Sequence, residues 1–177
     1  LPLTTDELQP LSNNRDDIDA RVMVSHAGAL DIANDKAKLY GFLADSDFDS
    51  APQFHRVDDE SSFVDAVQAL GYPDNPVCFK PVVGSGMRGF RRLDSDADQA
   101  TRLLSEKPGE AVTTLEEVQP VLASADSFPQ LVVMEYLPGE EYSVDALAMG
   151  DSVGPVVPRS REKTRAGISF RGTVTHE

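Results

Sequence analysis

A single cysteine, Cys78, stands among 177 residues, so no internal disulfide can form and nothing speaks for an oxidising compartment. Histidine is scarce too. His26, His55 and His176 lie far apart, without cysteine or histidine neighbours at ligand spacing, and read as packing or surface residues, not a zinc site. No apolar run approaches the roughly 18 residues that a membrane helix needs. Basic residues are outnumbered 16 to 30, and the resulting net charge of −14 argues against nucleic acid and anionic membrane, which both demand a basic face. The opening Leu1-Pro2-Leu3-Thr4-Thr5-Asp6 lacks the basic and apolar regions of a signal peptide. It also lacks an initiating methionine, so the chain reads as a segment of something longer, with the cytoplasm as the expected compartment.

What is present is ordinary for a globular protein. Hydrophobic content of 40% and charged content of 26% suit one sizeable core or two small ones. There are no internal repeats or low-complexity tracts. The charge is uneven, however: between Gly154 and Glu177 lie Arg159, Arg161, Lys163, Arg165 and Arg171, against Glu162 and Glu177 alone. Such a stretch could receive a small anion or be a solvated basic hairpin.

Helical and strand signals alternate, pointing to a mixed α/β architecture. Asn34 is the expected N-cap of a helix through Lys36, Lys38, Tyr40 and Leu43. Pro52 to Val57 reads as a strand. Asp58 or Asp59 caps the next helix, with Phe63, Val64, Val67 and Leu70 on one face and Gly71 and Pro73 stopping it. Val77 to Val83 reads as a strand, followed by the turn Gly84-Ser85-Gly86-Met87-Arg88-Gly89 and a second strand from Phe90 to Leu93. A helix is expected from Ser95 to Leu104, and a loop from Ser105 to Glu110. Thr114-Leu115-Glu116-Glu117 has the capping-box pattern, although Pro120 should kink or restart the helix it opens. Leu131 to Tyr136 is a buried strand by its apolar run. Glu141–Met149, Val153–Val157 and Ile168–Thr175 then read as one antiparallel sheet.

Chemistry concentrates around the glycine turn. Gly84-x-Gly86-x-x-Gly89 matches a dinucleotide-binding string, but that motif opens a helix, whereas a strand follows here. No Gly-Lys-Ser/Thr follows, which excludes a Walker A loop. The turn is a glycine-rich hairpin whose backbone amides could approach phosphate closely. Lys80, four residues upstream between Phe79 and Pro81, would be costly to bury without an anionic partner, and a triphosphate would serve. A protein kinase has its glycine loop before its lysine; the order is reversed here, and no His-Arg-Asp or Asp-Phe-Gly segment is present.

Three segments in order carry a family resemblance: Asn34-Asp35-Lys36; Phe79-Lys80-Pro81 with its glycine turn; and Met134-Glu135-Tyr136-Leu137-Pro138-Gly139-Glu140-Glu141-Tyr142-Ser143-Val144-Asp145. Over about residues 30 to 175 the chain resembles the ATP-grasp superfamily, in particular the large chain of carbamoyl phosphate synthetase, biotin carboxylase and related carboxylate–amine ligases. The resemblance implies an α+β fold of two subdomains gripping ATP. It implies that Lys36 and Lys80 contact the phosphates, with Lys80 also within reach of adenine, and that Gly84, Ser85 and Gly86 belong to a mobile loop closing over them. Glu135, Tyr136 and Leu137 match the hinge whose backbone reads the adenine edge. Glu141 matches the carboxylate that accepts from the ribose hydroxyls, and Gly167, Ile168 and Ser169 resemble the loop near sugar and phosphates. Structural alternatives stay open: Glu135 as the end of a buried strand, Asp145 in an ion pair, Lys36 as an exposed helix residue.

One departure from the family is plain. The Glu-x-Asn-Pro-Arg segment that supplies magnesium ligands does not occur, so no metal ligand is assigned and Mg2+ ligands are expected downstream. Residues 1–30 read as the tail of a preceding domain and 31–177 as an ATP-grasp domain without its metal-binding part, incomplete at both ends. The resemblance implies a parent enzyme, an ATP-dependent ligase forming carbon–nitrogen bonds from small-molecule carboxylate (or bicarbonate) and amine substrates through an acylphosphate, the segment alone being inactive. From local charge, Arg159 and Arg171 are candidates for holding acylphosphate or carboxylate. The competing expectation is a non-catalytic nucleotide-binding or regulatory module on the same scaffold. Oligomeric state is not legible.

Overall fold

The computed structural model describes residues 2–46, 50–84, 87–96, 98, 104, 111–150, 152–165 and 167–175. The helix expected over Ser95–Leu104, the loop over Ser105–Glu110, Ser85 and Gly86 of the turn, and His176 fall mostly or wholly outside them. The helices are α1 (Leu8–Asn13), α2 (Ala27–Asn34), α3 (Lys36–Ala44), α4 (Glu60–Ala69) and α5 (Leu115–Ala123). The strands are β1 (Phe54–Val57), β2 (Val77–Pro81), β3 (Arg91–Leu93), β4 (Val112–Thr113), β5 (Leu131–Glu135), β6 (Tyr142–Met149), β7 (Ser152–Ser160), β8 (Lys163–Arg165) and β9 (Ile168–Arg171). The architecture is mixed α/β, and among the described residues no helix is long and apolar enough to cross a membrane.

A five-stranded sheet of order β1-β5-β2-β3-β4 forms the centre. β5 lies antiparallel between β1 and β2, β2 pairs antiparallel with β3, and only β3 and β4 run parallel. Side chains alternate across this sheet, so parity assigns each residue to a face. Val57, Val77, Phe79, Leu93, Leu131 and Val133 share one face and pack with Phe63, Ala66 and Val67 of α4 and Leu115 of α5. Phe63, which has no exposed surface, meets the Phe79 ring edge-on at 5.2 Å. Cys78, Lys80 and Arg92 therefore occupy the opposite face with Val132 and Met134. There Val132 packs with Ala37 and Tyr40 of α3, and the α3 backbone is tied to the end of β2 by Lys36 N–H donating to Val82 O at 2.9 Å.

Caps set most helix boundaries. Asp59 opens α4 by accepting from Ser62 N–H, and Gly71, at φ +95, closes it in a conformation other residues resist. Thr114 and Glu117 form the reciprocal capping box expected for α5. One expectation fails, as does one of the two alternatives at Pro120. The cap of α3 is Asp35, not Asn34: the Asp35 carboxylate accepts from the Ala37 and Lys38 N–H groups, while Asn34 ends α2. Pro120 does not restart α5, which runs through it.

The sheet expected over residues 141–175 is also corrected. β6–β7 and β8–β9 are separate two-stranded ladders, joined through the isolated bridge between Arg159 and Val174. Gly154 and Pro155 stand opposite Leu147 alone, a bulge at a residue without an N–H to donate. Pairing across the bulge places Tyr142, Val144, Ala146, Val156 and Pro158 on one face, and Tyr142, Val144 and Val156 are all exposed. Among the described residues, none after Met134 is buried.

Candidate functional site

The outer face of the five-stranded sheet floors a cleft of about 650 Å³. Its walls include Tyr40 of α3, Lys80 and Cys78 of β2, Arg92 of β3, Tyr136 and Leu137 after β5, and Glu141 before β6. Of the residues singled out by sequence, Lys80, Tyr136, Leu137 and Glu141 thus meet in one space.

Lys80 faces the cleft because Val77 and Phe79 face the core. Its ammonium donates to the Tyr40 hydroxyl at 3.0 Å and stands 5.5 Å from that ring's centroid. Tyr40, four residues after Lys36 on the same helix, is held edge-on by Phe54 at 5.5 Å. The Lys36 ammonium reaches across to the start of the glycine turn, donating to Gly84 O at 2.9 Å and Val82 O at 3.4 Å. Burial holds its pKa below the usual lysine value, the nearby Lys80 charge lowers it further, and Asp35 opposes both. Asp35 is itself paired with Arg56 at 3.2 Å. Gly89 has φ +74, and a Cβ there would come 2.7 Å from the Pro81 ring.

At the other end of β2 the chain after β5 forms the hinge-like segment. Glu135 is fixed from both sides by Gln53: its N–H donates to Gln53 O at 3.0 Å and its Oε1 accepts from Gln53 N–H at 2.8 Å. Its side chain therefore secures the strand end. The Cys78 thiol lies 3.6 Å from Glu135 O, and burial pushes its pKa up to about 11. The Tyr136 ring lies against the Arg92 guanidinium at 5.1 Å, with Arg92 also paired to Asp94 at 3.0 Å. Leu137 is exposed in the cleft wall.

The remaining candidates lie in the β6–β9 layer. Glu141 Oε2 is 3.5 Å from Nε of Arg161, whose Nη2 donates to Gly167 O at 2.7 Å. Ile168 is exposed, and the Ser169 hydroxyl donates to Arg171 O at 3.3 Å. Arg159 pairs with Asp145 at 2.7 Å, the ion pair anticipated for Asp145. Arg171 pairs with Glu162 at 2.9 Å, and the Thr173 hydroxyl, then Arg171, hold the Glu162 carboxyl below its usual pKa. Sequence reasoning missed Tyr40, Arg92 and Arg161. The first two carried a signal: helical spacing from Lys36, and the register that sets Arg92 opposite Cys78. Arg161 stood in the basic stretch, but nothing local tied it to Glu141.

Residues 127–176 match a family described as ATP-grasp in the biosynthetic pathway with Ter operon. A search of curated proteins finds no match to the sequence. The structure superposes on an L-amino acid ligase from Bacillus licheniformis with a TM-score of 0.60 at 14% identity, over 100% of this chain and 36% of that one. The fold is that of the ATP-grasp superfamily. The ADP complex of PurK, an N5-carboxyaminoimidazole ribonucleotide synthetase, is similar at a TM-score of 0.58 and 15% identity, over 94% of this chain and 37% of that one. The chain thus spans little more than a third of these two ATP-grasp relatives. The matched family segment holds Tyr136, Leu137, Glu141 and the β6–β9 layer; the Lys36 and Lys80 region lies outside it and shares only the fold of these solved structures.

Proposed function

We propose that this chain binds ATP in the cleft, as the nucleotide-binding part of an ATP-dependent ligase that joins a small-molecule carboxylate to an amine. The observation that carries the reading is Lys80 on the cleft floor, between the glycine turn of an ATP-grasp fold and the hinge-like Tyr136–Leu137 segment. Lys36 and Lys80 supply two ammonium groups beside the turn, whose small residues let backbone amides approach phosphate. The backbone of Glu135 and Leu137 then reads the adenine edge, and Glu141 accepts from the ribose. A similar fold in the PurK ADP complex supports a nucleotide there.

In the reaction so proposed, a carboxylate oxygen attacks the γ-phosphorus, ADP leaves, and an acylphosphate forms. The amine then attacks the acyl carbon and inorganic phosphate departs. The chain's own part is positioning and charge neutralisation by Lys36, Lys80 and backbone amides. Arg159 and Arg171 are proposed to meet acylphosphate or carboxylate by exchanging their carboxylate partners for it. Among the described residues no group of three or more His, Cys, Asp or Glu stands together to hold a metal ion. No step is therefore assigned to Mg2+ in this chain.

The test is a titration with ATP and GTP, beside Lys80→Ala. ATP is expected to bind in preference to GTP, and the variant to lose about tenfold or more in affinity while keeping that preference, since a hydrogen bond to a charged group contributes roughly 1.5–3 kcal/mol. Equal affinity of wild type and variant for ATP would remove phosphate from Lys80 and overturn the reading.

A further inference from the structure

Arg161 joins two segments at the sugar end of the proposed site. Its backbone N–H donates to Glu141 O at 3.1 Å, its Nη2 donates to Gly167 O at 2.7 Å, and its Nε stands 3.5 Å from Glu141 Oε2. The Arg161 side chain is 19% exposed, whereas the Glu141 side chain it faces is 66% exposed. Its Nε is buried and makes no hydrogen bond among the described residues. Two other arginines of the basic stretch, Arg159 and Arg171, sit instead in ion pairs with Asp145 and Glu162.

We infer that Arg161 is a positioning residue that sets Glu141 to read the ribose. A glutamate this exposed has several rotamers and would surrender them on binding a ligand. The fixed guanidinium beside Oε2 narrows that choice and leaves Oε1 to accept from sugar hydroxyls. A carboxylate is acceptor-only and so matched to hydroxyl donors. Through Gly167 the same side chain anchors the β8–β9 turn to the start of β6. Lysine would keep the charge but not the fork that makes both contacts. The inference rests on the ribose reading of Glu141 given above.

The experiment compares ATP with 2′,3′-dideoxy-ATP by titration of the full chain, in wild type, Arg161→Ala and Arg161→Lys. Wild type is expected to prefer ATP by about tenfold or more, on the usual strength of hydrogen bonds to a carboxylate. Arg161→Ala should lose most of this preference by weakening ATP while leaving the dideoxy nucleotide nearly unchanged, and Arg161→Lys should fall between. A wild-type preference that survives intact in a folded Arg161→Ala overturns the inference and leaves the ribose reading of Glu141 standing. Should the alanine variant lack a melting transition, the lysine variant decides: full preference there overturns the inference, and reduced preference supports it. Equal affinity of wild type for the two nucleotides, or binding of neither, overturns the ribose reading and the inference with it.

Discussion

Lys36 and Lys80 hold like charges near one another, and after burial the Lys80 charge is the next largest reason that the Lys36 ammonium is disfavoured. The folded chain gives up the Lys36 proton below the ordinary value of 10.5, at which the unfolded chain still holds it. Stability should therefore rise with pH between the lowered value and 10.5, as a charge disfavoured by burial and by Lys80 is lost. Triphosphate affinity should move the other way and fall as pH rises through the lowered value. Measured from about pH 7 to 10, this fall should be smaller in Lys36→Arg, because arginine keeps its charge. An identical pH slope in the variant would mean that another group governs it. At this scale the sequence showed most where periodicity fixes direction. Val77 and Phe79 turn inward, so Lys80 must turn out. It showed least where a contact joins distant chain: the hold of Arg161 on Glu141 depends on how β6, β7 and the β8–β9 turn fold together, which no local pattern encodes.

Among the elements, α4 was legible from end to end because a cap, an apolar face and a stop signal agree, whereas α5 was legible at its start alone, through its capping box. Their energetics should follow. Phe63→Ala removes the fully buried ring between α4 and Phe79 and is expected to cost about 3–5 kcal/mol in denaturant unfolding. Thr114→Ala, which opens the capping box, should cost about 1 kcal/mol. A Thr114→Ala loss matching that of Phe63→Ala would put the cap, not the core, in charge of α5. The bond from Ser62 N–H holds the Asp59 carboxyl below 3.8, so its contribution is present above 3.8 and lost as pH falls through the lowered value. Acid unfolding of Asp59→Asn should lack that component. Other boundaries were illegible for a definite reason. Asn34 and Asp35 are adjacent and both suit a cap, and only the competing claim of α2 on Asn34 decides between them. In β7, Pro155 and Pro158 withdraw donors along a strand whose side-chain alternation still looks continuous, so alternation alone overstated the sheet.

Across the whole molecule, burial divides unevenly along the chain. The sheet centred on β5 and β2 is covered by α4 and α5 on one face and partly by α3 on the other, whereas β6–β9 are two-stranded ladders with exposed apolar side chains. Two-stranded units have little stability of their own. Amide exchange should thus be slowest in β2 and β5 and faster by orders of magnitude in β6–β9, a contrast that ATP should narrow by bridging the two through Glu141. Uniform exchange would show that the layers unfold as one. The lone thiol makes this behaviour visible by another route. Cys78 is 3% exposed and, with its pKa near 11, stays protonated at neutral pH, so a thiol-specific alkylating reagent finds neither surface nor thiolate while the sheet is closed. Each modification then marks one opening event, with no second cysteine to confuse the count. The protein carries its own single-channel clock, one whose ticking a nucleotide lying over β2 should slow.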